Sequence, residues 1–283
     1  MIHIPLKRVI VKWATIPPLL NALDVINSLV GVTLKENCWY IDAVQKGMNR
    51  GQIRYIGDSG STDYEKLLEI NPDMFFAGEW ENTKKLKELA IPFAVVTEYR
   101  EHGPLARLEW IKFFAAFYNK EAKANVFFDN IVRKVKKISS RTSQLRTRPK
   151  VLWGFITGKG QIYVPGGNSY ISKMIELAGG NYIFKDIKKT GGSPITMEEF
   201  YRRGRDADIY ISPVYSISSI RDILSNYPVM SDLKPIRNKN VWRFQPWYWQ
   251  SISKTDMIIE DLAAILHPQL FPGHRFICFQ KVP

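Results

Sequence analysis

The sequence predicts an α/β fold of two lobes joined by one long helix, and three observations carry that expectation. Short β-rich runs alternate with helical patterns along most of the chain, which is the signature of parallel βαβ units. One stretch, from Pro104 to Leu145, breaks the alternation; it has no strand signal and reads as a short helix, a Tyr118-Asn119-Lys120 break and a long helix. The third is an internal echo. Glu65 opens a helical turn running through Asn71-Pro72-Asp73 into Met74–Ala77, and Glu198 opens one running through Asp206-Ala207-Asp208 into Ile209–Ser212. Acids favour the first turn of any helix, so the echo by itself has an ordinary explanation.

In chain order the first lobe reads as strand Val9–Trp13, helix Pro18–Leu29, strand Gly31–Thr33, helix Tyr64–Ile70, strand Met74–Ala77, helix Thr83–Leu89 and strand Phe93–Val96. In the long helix, read as Glu121 to Leu145, Val126, Phe127, Ile131, Val135 and Ile138 recur at three- and four-residue steps. The basic run Arg133-Lys134-Val135-Lys136-Lys137 therefore puts its cations on a solvated face. Strands resume at Val151–Phe155, Gln161–Val164, Ile209–Ser212 and Val241–Phe244. Helical segments fall at Ser169–Ala178, Met197–Arg203, Ile217–Leu224 and Thr255–Leu266. The expected division is an N-terminal α/β lobe over 1–118, a connecting helix over 119–146 and a C-terminal α/β lobe over 147–283.

At 283 residues, 45% hydrophobic and 24% charged, the chain has the composition of an ordinary globular protein, which excludes disordered, collagen-like and disulfide-scaffold classes. No apolar run approaches the roughly 18 residues a membrane span needs. Forty Lys and Arg against 27 Asp and Glu leave a formal charge of +13. Such a surplus attracts nucleic acid, anionic lipid or an anionic ligand, and a solvated surface explains it equally. Lys12 and Pro17-Pro18 interrupt the stretch where a signal peptide would be apolar, so the chain reads either as cytosolic or as beginning after a removed signal. Cys38 and Cys278 read as two isolated thiols, pairing only if the fold brings the chain ends together.

Two strings resemble catalytic motifs and are rejected. Gly57-Asp58-Ser59-Gly60-Ser61 has His3 as its only upstream histidine and Ser61 where a nucleophile elbow needs its last glycine. The stretch from Gly154 to Gly160 is one residue short of a phosphate loop and lacks Ser or Thr after Lys159. His3, His102, His267 and His274 show no metal-ligand spacing; His267 precedes Pro268 at a helix end, where a cation suits the dipole. No acid-base pair is nominated by spacing, which leans toward a binding protein. Aromatics, in contrast, gather at or beyond strand ends: Trp13, Trp39-Tyr40, Trp80, Tyr163, Tyr215 and Trp247-Tyr248-Trp249. Open α/β sheets place ligands there, and such a set suits a large, flat, partly apolar one.

The string Tyr64-Glu65-Lys66-Leu67-Leu68-Glu69-Ile70-Asn71-Pro72-Asp73-Met74-Phe75-Phe76-Ala77, with Lys7-Arg8-Val9-Ile10-Val11 before it, resembles the extracytoplasmic substrate-binding proteins of ABC importers for ferric siderophores, haem and cobalamin. Tyr163-Val164-Pro165-Gly166-Gly167-Asn168-Ser169-Tyr170 and Leu177-Ala178-Gly179-Gly180-Asn181-Tyr182 are similar to that family's second-lobe signature. Pro104 to Phe113 and Asp261 to Phe271 agree, so the likeness spans about residues 6–275. It implies two Rossmann-like lobes bridged by a single long α-helix, a ligand cleft between the lobes, and small closure because the helix is stiff. It also implies an exported, periplasmic or membrane-associated monomer that is not an enzyme.

The resemblance further implies that Glu65 and Glu198 dock on arginines of the permease, with Glu199 as the neighbour if the register slips. The ligand set read from strand ends is Trp13, Trp39, Trp80, Arg100, Tyr163, Tyr215, Arg243, Trp247, Tyr248 and Trp249. No catalytic residue, resident metal or cofactor is expected. A ferric siderophore ranks first as the transported ligand, cobalamin next and haem third, since haem asks for an axial Tyr or His that no spacing singles out. An α/β enzyme acting on a sugar or nucleotide is the alternative class. Nucleic-acid binding through the basic surface would fall steeply with salt and is not expected.

Overall fold

The computed structural model describes residues 2–58, 60–157 and 161–283. Ser59 and Gly158-Lys159-Gly160, from the two rejected motifs, lie outside the described residues. The chain forms two compact units, one from Met1–Glu98, Leu108–Asn130 and Trp249–Ser253, the other from Tyr99–Arg107, Ile131–Tyr248 and Lys254–Pro283. Neither unit is one continuous segment.

The first unit is built on a five-stranded sheet. Its strands are β1 (Val9–Val11), β2 (Leu29–Val32), β3 (Arg54–Tyr55), β4 (Met74–Ala77) and β5 (Phe93–Val95), in the order β3-β2-β1-β4-β5 and all parallel. Ile10, Phe75, Phe76 and Ala77 are wholly buried, as expected of central parallel strands covered on both faces. The second unit has β6 (Lys150–Trp153), β7 (Asn181–Tyr182), β8 (Ile209–Ser212), β9 (Val241–Phe244) and β10 (Phe279–Lys281) in the order β7-β6-β8-β9-β10. Only the β9–β10 pair is antiparallel. A smaller antiparallel sheet of Phe155–Ile156, Ile162–Pro165 and Gly192–Ile195 belongs to the same unit.

The internal echo is structural. Asp73 donates its amide to the Arg8 carbonyl at 2.8 Å, and its carboxylate accepts from the amides of Lys7 and Arg8. Asp208 does the same one sheet over, its amide on the Lys150 carbonyl at 2.8 Å and its carboxylate on the Lys150 amide. Each aspartate thus staples the start of a central strand, β4 or β8, to the start of the strand beside it.

The predicted strands and helices fall close to those observed, with instructive exceptions. The helix expected over Pro18–Leu29 runs Ile16–Ala22 and stops because Asp24 takes a left-handed backbone, φ 59°. A helix at Asp42–Asn49 and the edge strands β3, β7 and β10 carry too few residues of clear periodicity to be read. The long helix spans Glu121–Ser143, and Asn119, with φ 53°, makes the turn before it. Ile131, Val135 and Ile138 are buried while Arg133, Lys134, Lys136 and Lys137 are exposed. Cys38 is exposed and Cys278 buried, both as free thiols.

His267 corrects the expectation of a cation at the end of the final helix, Thr255–Leu266. It is 3% exposed and its Nε2 meets the Gly179 carbonyl at 3.2 Å. Burial pushes the imidazole pKa down, outweighing that carbonyl, so the ring is held neutral. Gly179, at φ +85°, leaves the room; a Cβ there would lie 2.6 Å from Nε2. A lowered histidine pKa means the unfolded chain takes up the proton first. Stability therefore falls as pH drops below about 6.5 and through the folded value, and His267→Gln should flatten that part of a urea-denaturation pH profile.

Candidate functional site

In the first unit, the carboxyl ends of β1 and β4 present a tryptophan pair. Trp13 follows β1 by two residues and Trp80 follows β4 by three; their rings meet edge to face, centroids 6.2 Å apart at 88°. Trp80 is 73% exposed, a solvent-facing indole of the kind that can stack on a ligand. Gly78 makes room for Trp13, because a Cβ there would sit 2.5 Å from the Trp13 ring. Gly78→Ala should displace that ring at a cost of about 1–3 kcal/mol, read as a shifted tryptophan emission and a lower denaturation midpoint.

Adjoining the pair in sequence is a buried ion pair, Lys12 with Glu81, at 2.6 Å. Burial pushes the Glu81 carboxyl up, but hydrogen bonds from Lys12, Tyr64 and Thr62 more than offset it and leave the pKa lowered. Partial burial and the bond to Glu81 push the Tyr64 hydroxyl up to about 12. Trp249 is 41% exposed in the same unit. The adjacent Gln250 anchors that segment, accepting from the Tyr40 amide at 2.8 Å and donating to the Cys38 carbonyl at 2.7 Å.

In the second unit, Tyr215, 50% exposed, lies beyond β8. Arg243 in β9 donates to the Tyr215 carbonyl and, at 2.6 Å, to Gln280; its guanidinium positions Tyr215 on the sheet. Tyr163 stacks on Phe155, centroids 5.7 Å apart at 19°. The Trp247 indole donates to the Ile277 carbonyl at 2.8 Å. Arg100 is exposed beside Tyr99.

Two expected ligand contacts are corrected. Trp39 is 1% exposed, its indole spent on the Leu34 carbonyl at 3.1 Å. Tyr248 is 2% exposed and stacks on Phe244 at 3.5 Å, with its pKa raised well up by burial. Aromatic residues beside a strand end serve the core as readily as a ligand, and composition does not separate the two. Phe155, 38% exposed, was not in the expected set; its place directly after Gly154 at a strand end was the available signal.

The two glutamates occupy matching places. Glu65 is the second residue of Tyr64–Ile70, which Asp63 caps by accepting the Lys66 amide. Glu198 is the second residue of Met197–Gly204, which Thr196 caps by accepting the Glu199 amide. Both are exposed, and neither side chain has an ion-pair partner among the described residues. Glu199 is half-buried and paired with Arg203 at 3.3 Å, so Glu198 is the available acid. Among the described residues no group of three or more His, Cys, Asp or Glu could hold a metal ion, and no helix is long and apolar enough to cross a membrane.

Two α/β units on mainly parallel sheets, with exposed aromatics beyond strand ends, suit a solute-binding protein. The chain belongs to the periplasmic binding protein family, whose family model matches residues 14–246; members are solute-binding components of ABC importers. An uncharacterized lipoprotein of Methanocaldococcus jannaschii, MJ0878, is 36% identical over 99% of this chain and 70% of its own length. Among solved structures of this fold, a periplasmic heme-binding protein from Pseudomonas aeruginosa aligns with a TM-score of 0.76 at 16% identity, covering 93% of each chain. Helicobacter pylori CeuE with Ni(II) bound aligns at 0.76 and 18% identity, covering 97% of this chain and 88% of its own.

Proposed function

We propose that this chain captures a ferric siderophore outside the cytoplasmic membrane and hands it to an ABC permease. The solvent-facing Trp80, propped by Trp13 at the end of a parallel sheet, is the observation that carries this reading. A ferric chelate arrives coordinatively complete, so it asks the protein for stacking surface and hydrogen bonds only. In the first unit Trp80 and Trp249 offer that surface with Trp13 in support, and in the second unit Tyr215 does, with Tyr163, Trp247 and Arg100 in support. Cobalamin, also complete, ranks second. Haem ranks third, although the fold neighbours include a heme-binding protein, because it asks for an axial Tyr or His; of Tyr163, Tyr215 and Tyr248, none singled out by spacing, the last is buried.

Tryptophan-fluorescence titration with a ferric tris-catecholate, cyanocobalamin and haemin tests the reading. The ferric chelate is expected to quench at micromolar concentration, and Trp80→Ala to weaken it about tenfold, the effect of losing one aromatic stack. Mass spectrometry of the released chelate should return it unchanged, as an enzyme would not. If none of the three quenches at micromolar concentration, the chelate reading fails.

A further inference from the structure

The buried carboxylate of Glu81 joins two parts of the first unit that the proposed function treats separately. Its Oε2 accepts from Lys12 Nζ at 2.6 Å and from the Thr62 hydroxyl at 2.8 Å, and its Oε1 accepts from the Tyr64 hydroxyl at 2.6 Å. Lys12 also donates to Thr62 at 2.6 Å. The side chains of Lys12 and Glu81 are 5% and 4% exposed. Every member stands next to a functional position: Lys12 precedes Trp13, Glu81 follows Trp80, Tyr64 precedes Glu65, and Thr62 precedes the capping Asp63.

A buried ion pair is a poor source of stability, because desolvating both charges consumes most of their attraction. What this one supplies is fixed geometry. The carboxylate accepts from Lys12 on one stretch of chain and from Thr62 and Tyr64 on another, so neither stretch can shift against Glu81 without breaking a charge-assisted hydrogen bond.

We propose that Glu81 is a positioning residue that makes the Trp13–Trp80 surface and the Glu65 helix one mechanical element. A ligand stacking on Trp80 restrains the turn after β4, and Glu81 passes that restraint to Thr62 and Tyr64 at the start of the docking helix. Occupancy is thereby felt at Glu65. The functional meaning rests on the roles given to Trp80 and Glu65 above; the coupling itself is a property of the unliganded chain.

Hydrogen exchange of the unliganded full-length protein, read by mass spectrometry, tests the coupling as a double-mutant cycle. Trp80→Ala, a change at an exposed side chain, is expected to raise exchange of the 64–70 amides about threefold or more, the lower range for residues sharing one network. In Glu81→Gln those amides already exchange faster, and adding Trp80→Ala should change nothing further. Unchanged exchange at 64–70 in Trp80→Ala, or two independent and additive effects, would overturn the proposal. If Glu81→Gln does not fold, Tyr64→Phe combined with Thr62→Val cuts two of the three donors and supports the same comparison. Because no ligand or permease enters the measurement, its failure leaves the capture reading standing, and a failed chelate titration leaves this coupling standing.

Discussion

Replacing Glu65 or Glu198 with alanine is expected to cut uptake of the proposed chelate ligand severely while leaving its affinity for the isolated protein unchanged. Both acids sit at the second position of a side-chain-capped helix, exposed and without an ion-pair partner among the described residues. Exposed pairs contribute about 1 kcal/mol or less. A charge desolvated against an arginine at a protein interface costs about 2 kcal/mol or more to truncate, roughly a thirtyfold loss of docking. Uptake by vesicles carrying the permease, set beside fluorescence titration of the free protein, separates the two quantities. The double variant should fall further than either single one, and Glu199→Ala should have little effect because its carboxylate already serves Arg203. Lost chelate affinity in either single variant would sink the docking assignment.

The second large effect is expected at Asp261. This carboxylate is fully buried; it accepts from the Ile277 and Cys278 amides at 2.9 and 2.6 Å and meets His274 Nε2 at 2.6 Å. Burial pushes its pKa up, against the pull of those partners. Asp261→Ala leaves the buried Cys278 amide, the half-buried Ile277 amide and an imidazole unmet, a loss of about 3 kcal/mol or more. Asp261→Asn keeps an acceptor and should cost less. Urea denaturation gives the size. The emission of Trp247 gives the location, since its indole hangs on the Ile277 carbonyl that Asp261 holds in place.

What the sequence discloses follows from how local each feature is. Met74–Ala77, Ile209–Ser212 and Thr255–Leu266 appear at their predicted bounds, because a buried parallel strand or an amphipathic helix writes its environment into consecutive residues. Edge strands such as Asn181–Tyr182 do not; two residues joined to a sheet by distant partners have no period. The same divide runs through the site. Capped helix starts at Glu65 and Glu198 are local and legible. Whether Trp39 or Trp80 faces solvent is decided by packing, and the two tryptophans look alike until Trp39 is seen buried and Trp80 exposed. Glu81 was passed over because its partners lie 17, 19 and 69 positions away.

The interleaving of the two units bears on the order in which the protein can be made. Trp249–Ser253 completes the first unit, and Gln250 within it holds Cys38 and Tyr40. A nascent chain halted at residue 240 has every strand of the first sheet outside the ribosome and still lacks that clasp. Translation from the amino end lets most domains fold as they emerge. Here the first-made unit stays unfinished until Trp249–Ser253 has followed residues 131–248 of the second unit out of the ribosome, so it cannot close before most of its neighbour has been made.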